Sequence, residues 1–284
     1  MAVNLERSQK VFTAEATLAK ILPISYETVD QNNISTALEL LDQGAKLFII
    51  SDHRSTADTT TGFAVAMKSN TGFDGLLRRS VVTIKDSYLK NRLFRIPLSS
   101  VMTAGVVSPS MIDYPNATSV NKEALRTIRG LPGGNAVTIN PEATRIKEGG
   151  MQKARKEIAL YWHQDKTNPS SPPDEDIWFM PVAHEGTEQQ WPNGPLGAPY
   201  YFAWGAYRHK VKFIIGKPFR LTDIMEQLKS YDIPRENSKQ MEVDLVMLQV
   251  ALLHDNYGNP DYMDGYYRDL FDNLLAQGFK IPNA

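Results

Sequence analysis

Cysteine is absent from the 284 residues. Disulfide bonds, thiolate metal sites and a cysteine-borne acyl intermediate are therefore excluded, and a reducing compartment fits. An excess of one charge is also lacking: 31 Lys and Arg stand against 32 Asp and Glu. The basic footprint of a nucleic-acid binder is missing, so no nucleic-acid partner is expected. No run approaches the roughly 18–20 uninterrupted apolar residues of a membrane-spanning helix. The opening stretch, MAVNLERSQKVFTAEATLAKIL, carries charges throughout and has no signal-peptide apolar core. A cytoplasmic protein is expected, soluble or peripheral on the membrane face. What is present is an ordinary apolar fraction, 42%, enough for a real core. The length allows two average domains or one large one.

Apolar runs and helical patterns alternate along the chain. NNISTALELLDQG (32–44) reads as a helix, with a Thr36–Glu39 capping box and Gly44 as its stop. KLFII (46–50) reads as a buried strand, residues 59–68 as a helix and SVVTIK (80–85) as a second strand. GVVSP (105–109) is a third candidate strand, and NKEALRTIRG (121–130) a helix stopped by Gly130. AVTIN (136–140), IWFMPVA (177–183) and KVKFIIG (210–216) are further strands, and MQKARKEIALYWH (151–163) a helix. This order predicts an α/β fold: a largely parallel central sheet flanked by helices. From residue 221 the pattern turns helical. The expected division is an α/β unit over 1–220, with residues 1–34 as an N-terminal arm, and a C-terminal helical region over 221–284 packed on it.

In parallel α/β sheets, functional residues gather beyond the C-terminal strand ends. SDHRSTAD (51–58) follows the first strand, and Pro141-Glu142-Ala143-Thr144-Arg145 follows AVTIN. On one helix, residues five apart sit about 140° from each other and cannot meet. His53 and Asp58 meet only if His53 lies in the turn before a helix and Asp58 in its first turn, with Ser55 or Thr56 as cap. Asp58 then accepts from one ring nitrogen of His53 and leaves the other as a general base. Backbone N–H groups at the helix start can stabilise an oxyanion. A single His-x4-Asp pair among five histidines is a weak signal alone; its order among other motifs carries more.

Five segments in order give the chain a resemblance to the glycerolipid (lysophospholipid) acyltransferase family, from about residue 35 to 220. They are SDHRSTAD for the family's H-x4-D motif, IKDSYLKNRLFRIP for the segment that follows it, INPEATR for its F-P-E-G-T-R, WFMPVA for the strand ending in Pro-Val, and FIIGKPF for the strand ending in G-x-P. The resemblance implies acyl transfer from a CoA or acyl carrier protein thioester to a hydroxyl of a (lyso)glycerolipid-type acceptor, without an acyl-enzyme, metal or cofactor. His53 would be the base and Asp58 its orienter. Glu142, Thr144 and Arg145 would line the acceptor pocket, with Arg145 near a phosphate or other anion. Pro141, Pro181 and Val182 would be structural beside it.

The sequence also departs from that pattern. The stretch matching the second motif, AGVVSPSM, has Ser108, Pro109 and Ser110 where the family has an Arg that grips glycerol phosphate. Ala143 replaces a Gly, and Thr56 and Ala57 stand in place of aromatic residues. A non-glycerolipid acceptor therefore stays open, as does a lipid-binding protein that kept the fold without catalysis. His184-Glu185-Gly186-Thr187 mimics the third motif but puts Glu188 where the Arg belongs; His184 reads as a loop residue. Arg78, Arg79, Lys85, Lys90, Arg92 and Arg95 form a basic stretch that suits an acidic carrier protein, CoA phosphates or anionic lipid, or simply a solvated face. Lys85, Arg92 and Arg95 are its candidate substrate contacts. Aromatic residues from Trp191 to Tyr207 suit a membrane interface or an acyl-chain mouth, and equally a loop folded on the core.

Overall fold

The computed structural model describes residues 24–55, 58–69, 71–82, 125–142, 150–191, 205–230, 235–279 and 281. The elements over them are β1 (Tyr26–Val29), α1 (Asn32–Asp42), β2 (Lys46–Ser51), α2 (Asp58–Lys68), α3 (Phe73–Arg78), β3 (Ser80–Val82) and β4 (Ala136–Ile139). After them come α4 (Ala159–Trp162), β5 (Ile177–Glu185), α5 (Thr187–Gln190), α6 (Ala206–Arg208), β6 (Val211–Ile215) and β7 (Phe219–Arg220). The helices α7 (Leu221–Ser230), α8 (Arg235–Tyr257) and α9 (Tyr266–Ala276) complete the C-terminal region. The candidate strand at 105–109 lies outside the described residues, as does the part of 80–85 beyond Val82.

The sheet runs β1-β6-β5-β2-β4-β3, with β7 paired to β5. The β1–β6, β2–β5, β2–β4 and β3–β4 pairs are parallel; β5–β6 and β5–β7 are antiparallel. The fold is thus α/β with a mostly parallel sheet and helices on both faces. Strand alternation divides the core in two. Phe48, Ile50, Val137, Ile139, Phe179 and Ala183 face α4, α7, α8 and α9. Leu47, Ile49, Met180, Val182, Phe213 and Ile215 face α1, α2 and α3. On the first face Trp162 stands edge-on to Phe48 and Phe179, with ring centroids 6.2 Å and 5.0 Å away. Its indole N–H donates to the buried Glu242 of α8, which ties the C-terminal helices to the sheet.

Three expectations are corrected by local chemistry. The stretch read as an N-terminal arm contains an edge strand, β1, which enters α1 through Asp30 in a left-handed turn (φ 55°). Helix α1 therefore begins at Asn32, and Thr36 and Glu39 lie inside it rather than capping it. Ile34, Ala37 and Leu41 form its buried stripe. Residues 151–155 are not helical; only a 3-10 turn (Lys156–Ile158) and α4 are. The N–H groups of Met151, Gln152, Ala154 and Arg155 donate to the Tyr262 carbonyl, the Glu142 carboxyl, the Tyr267 hydroxyl and the Pro141 carbonyl. Tertiary acceptors take the donors that a helix would use. Third, β5 runs on to Glu185, so His184 is a buried strand residue and not a loop residue.

At the N-terminal end of β2, away from these loops, Lys46 is buried. Its ammonium donates to the carbonyls of Ile128 (2.5 Å) and Arg129 (3.1 Å), closing the helical stretch at 125–129. Burial, helped by Arg129, drives its pKa down to about 7. Between about pH 7 and 10.5 the unfolded chain holds a proton on Lys46 that the folded chain has lost, so this residue makes stability rise with pH across that window. Urea unfolding of wild type and Lys46→Met at pH 7 and pH 9.5 should show wild type gaining about 1–3 kcal/mol on the variant as pH rises. A difference that stays flat with pH contradicts the assignment.

Candidate active site

Strand β2 ends at Ser51, and residues 52–55 form an irregular turn before α2 opens at Asp58. This is the geometry that the five-residue spacing demands. Nδ1 of His53 lies 2.9 Å from Oδ2 of Asp58. The same carboxylate accepts from the N–H groups of Arg54 (2.9 Å) and Ser55 (2.9 Å), so Asp58 folds the turn back on itself. The Ser55 hydroxyl donates to the Trp191 carbonyl at 3.0 Å and pins the turn to the chain after β5. His53 is 25% exposed, and its Nε2 has no hydrogen bond among the described residues. A neutral His53 with its proton held on Nδ1 presents the Nε2 lone pair outward.

The peptide unit between Asp52 and His53 is held at both ends. Its carbonyl accepts from Nδ2 of Asn140, after β4, and from Nε2 of His184, in β5, both at 2.9 Å. Its N–H donates to Oε2 of Glu142 at 2.8 Å. The other oxygen of Glu142 accepts from the Gln152 N–H at 2.7 Å. At 1% exposure, with both oxygens taken by backbone, Glu142 is a brace for the loop rather than an open wall of an acceptor pocket. Burial, with Asp52 nearby, pushes its pKa well up. Pro141 is buried beside it and accepts from Arg155 N–H. Pro181 sits opposite Ile50 in the sheet and Val182 opposite Ser51. Thr144, Arg145, Lys85, Arg92 and Arg95 lie outside the described residues, as do Ser108, Pro109, Ser110, Ala143, Thr56, Ala57 and most of the aromatic loop. Arg79 is half-exposed and pairs with Asp42 at 2.6 Å, and Arg78 faces Asp74 at 3.7 Å; neither reaches the dyad.

Buried polar residues surround the loop. Asp52 is fully buried; its Oδ2 meets Nε of Arg54 at 2.5 Å and Nε2 of His254 at 3.2 Å. Burial alone would raise its pKa, but Arg54, His184 and His254 together hold it far below the ordinary carboxylate range. The Arg54 guanidinium lies over the Tyr262 ring, 3.4 Å from its centre, and the Tyr262 hydroxyl donates to Glu188 at 2.7 Å. His184 places Nε2 3.7 Å from Asp58, and the Thr187 hydroxyl lies 3.3 Å from its Nδ1. Gly186 (φ 84°), with no room for a Cβ against the Lys210 carbonyl, makes the turn that sets Thr187 there. Burial opposes the charge on Asp58, yet His184, His53 and Thr187 keep its pKa lowered, so it stays a carboxylate. The sequence carried no periodic signal for His184, because the run before it, IWFMPVA, is apolar on both faces.

Beneath the dyad lies a cavity of roughly 60 Å³ on the α2–α3 side of the sheet. Asp58 and His184 line it together with Ile49, Phe73, Leu77 and Phe213. It is less than half of the about 150 Å³ that holds a benzene ring. Among the described residues no cluster of His, Asp and Glu is placed to hold a metal ion, and no helix is long and apolar enough to cross a membrane. No protein-family model and no curated protein matches the chain.

Glu142→Ala strips the acceptor from two backbone N–H groups at once. Each such loss costs about 1–3 kcal/mol, and urea unfolding should read a destabilisation of about 2–4 kcal/mol. An effect under about 0.5 kcal/mol contradicts the bracing role.

Proposed function

We propose that this protein is an acyltransferase that moves an acyl group from a CoA or acyl carrier protein thioester to a hydroxyl of a glycerolipid-type acceptor at a membrane surface. The observation that carries the reading is the His53–Asp58 pair: an oriented imidazole whose outer nitrogen is open, at the C-terminal end of a parallel strand. The order of five family-like motifs supports the reading, and so does the apolar cavity that touches Asp58.

The chemistry follows from the geometry. Nε2 of His53 takes the proton of the acceptor hydroxyl as its oxygen attacks the thioester carbonyl carbon. Asp58, 2.9 Å from Nδ1, stabilises the imidazolium that forms. The tetrahedral adduct collapses, the C–S bond breaks, and the thiolate recovers the proton from Nε2. The products are an ester and a free thiol, so atoms and charge balance without an acyl-enzyme. A second reading keeps this chemistry with a non-glycerolipid hydroxyl acceptor; Ser108-Pro109-Ser110 in place of the phosphate-gripping Arg favours it.

The test is thiol release from palmitoyl-CoA and from an acyl carrier thioester. Lysophosphatidate, glycerol 3-phosphate and a lipid extract serve as acceptors, and products are identified by mass spectrometry. His53→Ala should lower acceptor-dependent release by about a hundred- to ten-thousandfold while lipid binding persists. The product mass names the acceptor. Release without any acceptor points to a thioesterase. Lipid binding with no release from any donor makes it a non-catalytic lipid-binding protein.

A further inference from the structure

We propose that His254, on the C-terminal helix α8, is a positioning residue for His53: it anchors the turn at 52–55 through the Asp52 side chain. The inference rests on His53 being the base and extends the site to a region outside the motif-bearing segment.

Asp52 follows the last residue of β2, Glu185 is the last residue of β5, and both side chains lie on the α8 side of the sheet. His254, 202 positions from Asp52 and fully buried, reaches both. Its Nε2 lies 3.2 Å from Oδ2 of Asp52 and its Nδ1 3.4 Å from Oε1 of Glu185. A neutral imidazole has one N–H; two carboxylates facing two ring nitrogens call for both protons. His254 is therefore an imidazolium bridge. Asp52, Glu185 and Arg54 are the charged groups about it. Its ring packs on Tyr262 in a T-shaped arrangement, with centroids 5.1 Å apart. Tyr262 in turn carries the Arg54 guanidinium on its face and donates to Glu188. Lys212, opposite Glu185 in β6, acts on that carboxylate. Burial opposes the charge on His254, but Asp52 and Glu185 outweigh it and hold its pKa above the ordinary value; Arg54 pulls the other way.

The consequence reaches His53 through one peptide bond. With the His254 bridge in place, Asp52 cannot rotate, and the turn delivers His53 to Asp58. Without it, the Asp52 side chain keeps Arg54, which sits on the same turn and moves with it, and the more distant His184, 3.8 Å away. The bridge is complete below the ordinary histidine pKa and is lost as pH rises through the raised value.

Low-field proton NMR reads the Nδ1–H of His53 in its bond to Asp58 and needs no turnover. The signal is assigned by its absence in His53→Ala. In His254→Ala it should be lost or broadened, and kcat should fall at least tenfold with the thioester KM within twofold. His254→Gln, whose amide can donate to Asp52, should recover the signal in part. In wild type the signal should fade as pH rises, and in Glu185→Gln it should fade at lower pH. If His254→Ala does not fold, as judged by urea unfolding, the comparisons of His254→Gln and Glu185→Gln with wild type decide the matter. An unchanged signal and unchanged kcat in folded His254→Ala overturn the inference, as does an identical pH profile in Glu185→Gln. If wild type shows no transfer but the signal still depends on His254, the positioning stands and the base reading falls. If His53→Ala abolishes transfer while the His254 variants match wild type, only the positioning falls.

Discussion

A buried carboxylate next to the candidate base sets the terms for the rest of the site. Asp52 has no exposed surface, so its charge must be compensated inside the protein. Arg54, His254 and, farther off, His184 supply that compensation. Stranding a buried charge by removing its partner costs about 3–5 kcal/mol, against a total stability of about 5–15 kcal/mol for an average domain. The turn that carries His53 therefore has little freedom to relax, and the helices that follow the sheet are coupled to it through α8.

The division of labour comes from the two-residue period of the strands. Ser51 and Asp52 are neighbours in the chain but face opposite sides of the sheet; so are His184 and Glu185. Ser51 and His184 belong to the cavity side, with Asp58 and α2. Asp52 and Glu185 belong to the α8 side, with His254. Each strand end thus contributes one residue to the cavity side and one to the α8 side. The peptide unit between Asp52 and His53 is where the two sides join: Asn140, His184 and Glu142 hold its backbone, and Arg54 and His254 its side chain.

The two histidines beside the loop do different work because their partners differ. His184 faces a carbonyl with Nε2 and a hydroxyl with Nδ1. Through that carbonyl the ring orders the backbone of the turn. His254 faces a carboxylate on each side, and two protons satisfy it. Glu142 serves the site indirectly: it touches His53 only through its backbone N–H.

Local physics was enough to read the alternation of strands and helices, the helix stop at Gly44 and the pairing of His53 with Asp58. Apolar periodicity is a local property, and five residues that must bridge a turn and a helix leave one workable geometry. The non-helical course of 151–155 was not legible, because its N–H partners are Glu142, Pro141, Tyr262 and Tyr267. Nor was the edge strand β1, which exists by pairing with β6 nearly two hundred residues later. Arg54, Asp52, Glu185 and His254 looked like scattered charges in the chain. Their roles arise from burial and mutual distance, which only the packing of α8 against the sheet creates. The sequence by itself determined the α/β pattern and the candidate base with its partner. The tertiary structure decided what holds that base in place, since compensation of a buried charge depends on which side chains meet in space.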